Sequence, residues 1–161
     1  MTMKTLIVYY SFSGITERVV NTYAKELAKT GEITVQRLKP KAEITTFFGQ
    51  CNAAFMRKRA ELEGTPAFDV TGYDLIMIGS PVWAFTPTPA VNTYLDKLSG
   101  LAGKRTIILL TSGSGTGVGN CFSMIKKALE TKKAAKIDTI NIPNRMMSDE
   151  SFIVGALKKV L

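Results

Sequence analysis

Five short apolar runs alternate with five segments of helical pattern along the 161 residues of this chain, and this alternation constrains its fold most. The apolar runs, which predict strands, are Lys4–Tyr10, Ile33–Leu38, Asp74–Gly79, Arg105–Leu110 and Ile137–Ile142. The predicted helices are Glu17–Lys29, Phe47–Leu62, Ala90–Leu98, Val118–Thr131 and Asp149–Val160, the last with Ser148 as its expected N-cap. Strict alternation predicts a three-layer α/β fold, with a doubly wound, five-stranded parallel sheet. We expect residues 1–161 to form a single domain.

The composition is that of an ordinary globular protein, with 45% hydrophobic and 21% charged residues. No apolar stretch approaches the roughly 20 residues that span a bilayer, and no signal-peptide pattern precedes the first strand. Cys51 and Cys121 lie far apart and form no C-x-x-C motif, so we expect no disulfide framework. These features together predict a cytoplasmic protein.

The chain contains no histidine, which excludes the usual Ser-His-Asp and Cys-His nucleophilic schemes and histidine-based metal sites. No clustered carboxylates indicate a glycosidase pair or a calcium loop. We therefore predict no catalytic side chain and no metal ligand. Any redox chemistry would then come from a bound cofactor.

The net charge is +8, from 21 Lys and Arg against 13 Asp and Glu. The basic residues are mostly spread along the predicted helices, which favours solvated helix faces and argues against a nucleic-acid partner. The exception is the run Arg57-Lys58-Arg59, which follows Phe55 and Met56. This run is a candidate contact for a partner or for an anionic substrate.

The loop after the first predicted strand has the features of a phosphate site. Ser11, Ser13 and Thr16 supply hydroxyl donors, and Gly14 permits a tight turn before the helix. The start of the helix adds unpaired N–H groups and the positive end of its dipole. The loop contains no lysine or arginine, so it suits a phosphate held by neutral donors. The alternative is that Ser13 or Thr16 only caps the helix.

Two further loops should meet the first, because ligands in such a sheet bind at the carboxyl ends of the strands. The loop after the third strand carries Trp83, the single tryptophan, and Phe85 among three prolines that stiffen the backbone. Such a loop suits a flat ligand that stacks on a ring, although Trp83 could instead close the sheet edge. The loop after the fourth strand has four alternating glycines, which permit close backbone approach or simply form a mobile surface loop.

Together these three loops resemble the cofactor loops of short-chain flavodoxin-like proteins, which bind FMN. The resemblance covers the whole chain and implies the strand order 2-1-3-4-5. The family's phosphate loop, T/S-x-T/S-G-x-T, is matched by Ser11, Ser13, Gly14 and Thr16. The FMN-binding residues implied by the resemblance are Ser11, Phe12, Ser13, Gly14, Ile15 and Thr16 in the first loop, Pro81, Val82, Trp83, Ala84 and Phe85 in the second, and Ser112, Gly113, Ser114 and Gly115 in the third.

Two departures from the family bear on function. Electron-carrier flavodoxins are typically acidic and commonly stack a third-loop tyrosine on the flavin, whereas this chain is basic and has no aromatic residue within 111–120. The resemblance implies an FMN-binding redox protein that exchanges electrons with a partner protein. One alternative is an NAD(P)H-dependent reductase of flavin or of a quinone, and the alternative outside redox chemistry is a basic binding module.

Overall fold

The computed structural model describes residues 2–161 and contains the predicted parallel sheet with helices on both faces. The strands are β1 (Met3–Tyr9), β2 (Gly31–Arg37), β3 (Leu75–Pro81), β4 (Arg105–Ser112) and β5 (Lys136–Pro143). The helices are α1 (Ile15–Leu27), α2 (Phe47–Phe55), α3 (Pro89–Lys97), α4 (Val118–Thr131) and α5 (Glu150–Lys158), with a short 3₁₀ turn at Asn144–Met146. The strands pair in the order β2-β1-β3-β4-β5, which confirms the predicted topology.

The central strands are buried on both faces because their side chains alternate between two helical layers. In β1, Leu6 and Val8 belong to the core that includes α3 and α4, whereas Ile7 and Tyr9 belong to the core that includes α1 and α5. All four side chains are almost fully buried. Because β1, β3 and β4 run parallel, the loops that follow them all leave the sheet at its carboxyl edge. None of the helices described within residues 2–161 is long and apolar enough to cross a bilayer.

The second helix is shorter than predicted, since α2 ends at Phe55 and the expected end was Leu62. Arg57 adopts a left-handed φ of 49°, and the N–H of Lys58 bonds back to the carbonyl of Ala53. This is the hydrogen-bond pattern of a Schellman motif, which ends a helix and is usually built on glycine. With arginine at the left-handed position, the sequence offered no signal for the stop.

The first helix also begins differently from the prediction, at Ile15 instead of Glu17. Its N-cap is Gly14, whose φ of 87° lies in the left-handed region, and no side chain caps the helix. The alternative in which Ser13 or Thr16 serves only as a cap is therefore wrong. The side chains of both residues remain available for another role.

The fifth helix is capped by Asp149 and not by the predicted Ser148. The Asp149 carboxylate accepts a hydrogen bond of 2.9 Å from the N–H of Phe152. Asp149 thus satisfies one of the unpaired N–H groups of the first turn, and its negative charge also lies favourably near the positive end of the helix dipole.

We expect Asp149→Ala to lower the free energy of unfolding by about 1 kcal/mol, the usual cost of losing an N-cap. Ser148→Ala, one residue earlier, is the matched control and should change it by no more than about 0.5 kcal/mol. Urea denaturation followed by circular dichroism measures both values. Equal losses of stability in the two variants would show that Asp149 is not the residue that caps the helix.

Candidate functional site

The three loops at the carboxyl edge of the sheet enclose a cleft of about 200 Å³. The residues that line it are Phe12, Ser13, Ile15, Thr16, Gln50, Pro81, Val82, Trp83, Thr111, Gly113 and Asn144. The remaining residues that the sequence predicted for the site lie next to the cleft in the chain but outside its lining, namely Ser11, Gly14, Ala84, Phe85, Ser112, Ser114 and Gly115. Eight of the fifteen residues predicted for the site thus line this cleft, and the assignment of all fifteen to FMN stays a prediction.

The first loop presents unpaired N–H groups at the start of α1. The N–H groups of Ile15, Thr16 and Glu17 have no acceptor within residues 2–161, because they belong to the first turn of the helix. The turn before them is fixed by a bond of 3.1 Å from the N–H of Gly14 to Oγ of Ser11. A side chain at Gly14 would project into open space. Unpaired N–H groups at the start of a helix are a donor set that suits an anion.

The Thr16 side chain forms a buried hydroxyl pair with Thr111 of β4. The two Oγ1 atoms are 2.7 Å apart, and both side chains are at most 2% exposed although they line the cleft. The pair carries two hydroxyl protons, and their mutual hydrogen bond uses only one of them. The other proton is available to an acceptor in the cleft, so the pair acts as one neutral donor.

A guanidinium group also reaches the first loop, which the sequence prediction of purely neutral donors missed. Nη2 of Arg37, at the end of β2, donates to the carbonyl of Ser11 at 2.8 Å, and Nη1 donates to both carboxylate oxygens of Glu17 at 3.1 and 3.2 Å. The C=O of a trans peptide and the following N–H point in opposite directions. Arg37 therefore directs the N–H of Phe12 away from itself. The β1–β2 register, which pairs Tyr9 with Arg37, brings the guanidinium there.

The charge of Glu17 is offset where it would otherwise oppose a bound anion. Besides Arg37, the hydroxyl of Tyr9 donates to Glu17 Oε1 at 3.1 Å. Burial, followed by the hydrogen bond to Glu17, raises the pKa of Tyr9 to about 12. Tyr9 consequently stays protonated at physiological pH and remains a donor. Two donors thus hold the carboxylate beside the helix N-terminus.

In the second loop, Trp83 packs edge-on against two aromatic rings and lines the cleft. Its ring centroid lies 5.6 Å from that of Tyr10 and 6.2 Å from that of Phe12, with interplanar angles of 89° and 80°. T-shaped packing of this kind fixes the orientation of an indole. Trp83 is only partly buried, so an edge or face remains accessible to a ligand.

The residues after Trp83 form a tight turn with unusual backbone angles. Trp83 and Thr86 exchange two backbone hydrogen bonds of 3.0 and 2.9 Å, while Ala84 and Phe85 have φ values of 42° and 70°. This is the pattern of a type I′ turn, a position that Asn-Gly normally fills. Left-handed angles at two non-glycine residues persist only where the surroundings hold them. Here Asn120 Nδ2 donates to the Phe85 carbonyl at 2.9 Å.

The loop after β4 has a defined set of internal hydrogen bonds. Ser112 Oγ donates to Oδ1 of Asn141 on β5 at 3.0 Å, and Ser114 Oγ accepts an N–H from two residues further along. Gly115 has a φ of 78°, as a left-handed turn requires. Only Gly113 of the predicted residues in this loop lines the cleft. The two serines are thus occupied in shaping the loop.

Besides Thr111, two residues of the cleft that lie outside the three loops, Gln50 and Asn144, were absent from the predicted site. Asn144 follows β5, and its Oδ1 is buried with no hydrogen-bond partner in the part of the chain that the structure describes. Gln50 lies on α2 and donates through Nε2 to the carbonyl of Ile44 at 2.7 Å. Neither residue lies in a loop after β1, β3 or β4, so the topological argument gave no signal for them. A buried unpaired acceptor at a cleft wall is a candidate ligand contact.

The basic run Arg57-Lys58-Arg59 does not line the cleft. Arg59 binds Asp96 through two hydrogen bonds of 2.6 and 3.2 Å. Asp96 lies in the last turn of α3, which leads away from the carboxyl edge of the sheet. Arg57 and Lys58 are exposed and have no ion-pair partner among the residues described. Only these two cations of the run remain available to a partner.

Comparison with known proteins agrees with this architecture. A family model described as flavodoxin matches residues 4–150. A flavoprotein from Lactobacillus acidophilus NCFM, solved in complex with FMN, is 22% identical with a TM-score of 0.67, and the match covers 92% of this chain and 99% of that one. Two-electron reduced Megasphaera elsdenii flavodoxin is 22% identical with a TM-score of 0.63, covering 96% and 98%. An NADH:FMN oxidoreductase in its apo form is 17% identical with a TM-score of 0.64, covering 98% and 88%. No curated protein matches the sequence.

Proposed function

This chain belongs to the flavodoxin family, and on that basis we propose that it binds one FMN and transfers electrons through the bound flavin. The first loop carries the proposal, because it places the unpaired N–H groups of Ile15, Thr16 and Glu17 beside the Thr16–Thr111 hydroxyl pair. Helix N–H groups and hydroxyl donors are a donor set that fits a terminal phosphate. The solved relative in complex with FMN supports the same cofactor.

The rest of the cleft fits a flat, conjugated ring. Trp83 offers an aromatic surface, Gly113 permits close backbone approach, and Asn144 provides a buried acceptor without a partner in the described chain. The volume of about 200 Å³ is below the roughly 300–1,000 Å³ of most ligand pockets. The cleft would therefore cover only part of a flavin nucleotide and leave the remainder within reach of a redox partner. The bound flavin supplies the electron-transfer chemistry, and the chain binds and orients it.

We assign the phosphate to the first loop and the ring to the second and third. Ser13 and Thr16, with the backbone N–H groups at the start of α1, would hold the phosphate. Pro81, Val82 and Trp83 would line the ring. Ser112 and Ser114 already serve the loop's own hydrogen bonds, so we assign them a shaping role.

Titration of the apo-protein with FMN, followed by the fluorescence of the single tryptophan, tests this function. We expect one FMN per chain, strong quenching of Trp83, and much weaker binding of riboflavin, which lacks the phosphate. FAD should bind weakly, because the loop has donors for a single terminal phosphate. Equal affinities for riboflavin and FMN would contradict the phosphate site. Tryptophan fluorescence that stays unquenched at saturation would show that Trp83 does not lie near the flavin.

A second candidate function is the NAD(P)H-dependent reduction of a flavin or a quinone. It is favoured by the loop after β4, in which residues 111–120 include no aromatic side chain that could cover one face of the ring. A second planar substrate would then have room to stack. Anaerobic mixing of the FMN-loaded protein with NADH or NADPH separates the two functions. Rapid bleaching of the visible flavin absorption supports the reductase, whereas its absence supports an electron carrier that serves a partner protein.

We also propose that the protein is cytoplasmic and that residues 1–161 act as one domain. Both cysteines are free thiols, which fits a reducing compartment. Cys121 is buried in the core, and burial raises the pKa of its thiol to about 12, so it stays protonated and unreactive.

Arg37→Gln is expected to weaken FMN binding about tenfold. The variant loses the guanidinium that holds the Ser11 carbonyl, and it leaves the Glu17 carboxylate without its cation beside the phosphate. A hydrogen bond to a charged group contributes about 1.5–3 kcal/mol, and we take the lower value because the ion pair is about a third exposed. The double variant Glu17→Gln/Arg37→Gln should recover part of the loss, since the repelling charge is gone.

Isothermal titration calorimetry with FMN measures the affinities of the parent and of these two variants. Arg59→Gln is the matched control, because it breaks an ion pair with Asp96 that lies outside the cleft. Its affinity for FMN should equal that of the parent. If Arg37→Gln also binds FMN as tightly as the parent, the guanidinium forms surface hydrogen bonds only and does not contribute to FMN binding.

A further inference from the structure

The second helix, α2, exposes its large apolar side chains and buries its small ones. Ala53 and Ala54 are at most 1% exposed, whereas Phe47, Phe48 and Phe55 are 75%, 86% and 78% exposed. An amphipathic helix on a protein surface ordinarily directs its large apolar residues into the core. The outward face of α2 is thus apolar without a covering element in the described chain.

These exposed side chains lie on one side of α2 and at its end. Phe48 and Phe55 are separated by seven positions, which is about two helical turns, so they share a face. The rings of Phe47 and Phe48 have centroids 6.2 Å apart, and Met56, 60% exposed, extends the patch beyond the end of the helix. We call Phe47, Phe48, Phe55 and Met56 the α2 apolar surface. Contiguous apolar patches on soluble proteins mark contacts with other proteins or with membranes.

The α2 apolar surface lies next to the cleft. Gln50, on the same helix, lines the cleft, and the carbonyl of Ala54 accepts a hydrogen bond of 3.2 Å from Oγ1 of Thr86 in the Trp83 turn. Phe85, 52% exposed, lies in that same turn. Anything that docks on α2 therefore lies near the opening of the cleft.

Positive charge follows the α2 apolar surface directly in the chain. Arg57 and Lys58 are exposed, and neither has an ion-pair partner within residues 2–161. The net charge of +8 extends the same sign to the whole molecule. Two copies of the chain would repel each other, and a symmetric α2–α2 contact would bring the same cations together. An anionic partner is the complementary one.

We propose that the α2 apolar surface docks on an anionic lipid membrane, with its phenylalanines among the lipid headgroups and Arg57 and Lys58 near the lipid phosphates. Phenylalanine beside arginine and lysine is the composition of interfacial membrane contacts. Basic residues next to a membrane surface are attracted to its anionic lipids. Protruding side chains enter a deformable interface directly, whereas a protein partner must supply a complementary pocket for each. The proposal concerns the folded chain and holds with or without FMN.

Co-sedimentation of the full chain with vesicles tests this proposal. We expect binding to vesicles of phosphatidylcholine mixed with phosphatidylglycerol and little binding to phosphatidylcholine alone. Phe48→Ser/Phe55→Ser should weaken the binding at least about tenfold, because two inserted aromatic side chains are lost. Arg57→Gln/Lys58→Gln should weaken it several-fold, and added salt should lower the binding of the parent.

Matched controls separate this surface from general basicity. Phe152→Ser removes an exposed phenylalanine on α5, and Lys126→Gln/Lys127→Gln removes two cations on α4, and both should bind vesicles nearly as the parent does. Circular dichroism verifies the fold of each variant. The proposal is overturned if the parent ignores anionic vesicles, or if Phe48→Ser/Phe55→Ser binds them as tightly as the parent. A parent that ignores vesicles and instead forms a dimer sensitive to Phe48→Ser/Phe55→Ser would identify a second copy as the occupant.

Discussion

Replacing Thr16 by valine should weaken FMN binding by roughly 10- to 150-fold. The substitution keeps the shape of the side chain and removes the hydroxyl that lies in the first turn of α1, beside its unpaired N–H groups. A donor to a charged acceptor contributes about 1.5–3 kcal/mol, and that range converts to this loss of affinity. The stability of the protein should fall by only about 1 kcal/mol, since one buried hydrogen bond is lost.

Two further variants make the result specific. Thr111→Val should lower the affinity for FMN less, because Thr16 keeps its own hydroxyl proton for an acceptor in the cleft. Thr22→Val, on the exposed side of the same helix, removes a hydroxyl that bonds only the Arg18 carbonyl and should leave the affinity unchanged. Fluorescence titration with FMN gives all three values. Parental affinity in Thr16→Val would restrict the hydroxyl pair to a structural role.

The sheet and its three loops could be predicted because each rests on local sequence. Apolar runs of strand length, such as Leu75–Ile78, belong to strands buried on both faces, and helices between them force parallel pairing. The carboxyl ends of β1, β3 and β4 then meet as a consequence of topology, without any knowledge of side-chain contacts. Serine, glycine and proline marked the loops by their backbone preferences.

The contributions of Arg37 and Asn144 could not be predicted, because both depend on register and on non-local packing. Arg37 lies far from the first loop in sequence and reaches it only through its pairing opposite Tyr9. Asn144 enters the cleft from the 3₁₀ turn after β5, a strand that no loop argument included. The predicted end of α2 was wrong for a different reason. Arg57 occupies a left-handed position that glycine or asparagine usually fills, so the sequence did not indicate the end of the helix.

Gly117→Ala should destabilise the protein by about 2–5 kcal/mol, the largest loss of stability expected here. A Cβ at this position would lie 2.3 Å from Cδ1 and 2.7 Å from Cα of Phe85, and the φ of 80° is itself unfavourable for alanine. The left-handed conformation costs about 1–2 kcal/mol and overpacking about 1–3 kcal/mol. The Cα belongs to a turn already strained at two residues, so it has little freedom to move away.

Gly115→Ala isolates the contact with Phe85 from the backbone effect. Gly115 has a nearly equal φ of 78°, but a Cβ there would meet no atom within 4 Å. It should therefore cost only about 1–2 kcal/mol. Urea denaturation measures the free energy of unfolding of the two variants. Equal losses would mean that the Phe85 turn moves away from the new Cβ at no cost in stability. Because a shifted Phe85 also displaces the turn that begins at Trp83, Gly117→Ala should bind FMN more weakly than Gly115→Ala under conditions where both are folded. That second readout links the stability of the turn to the flavin site.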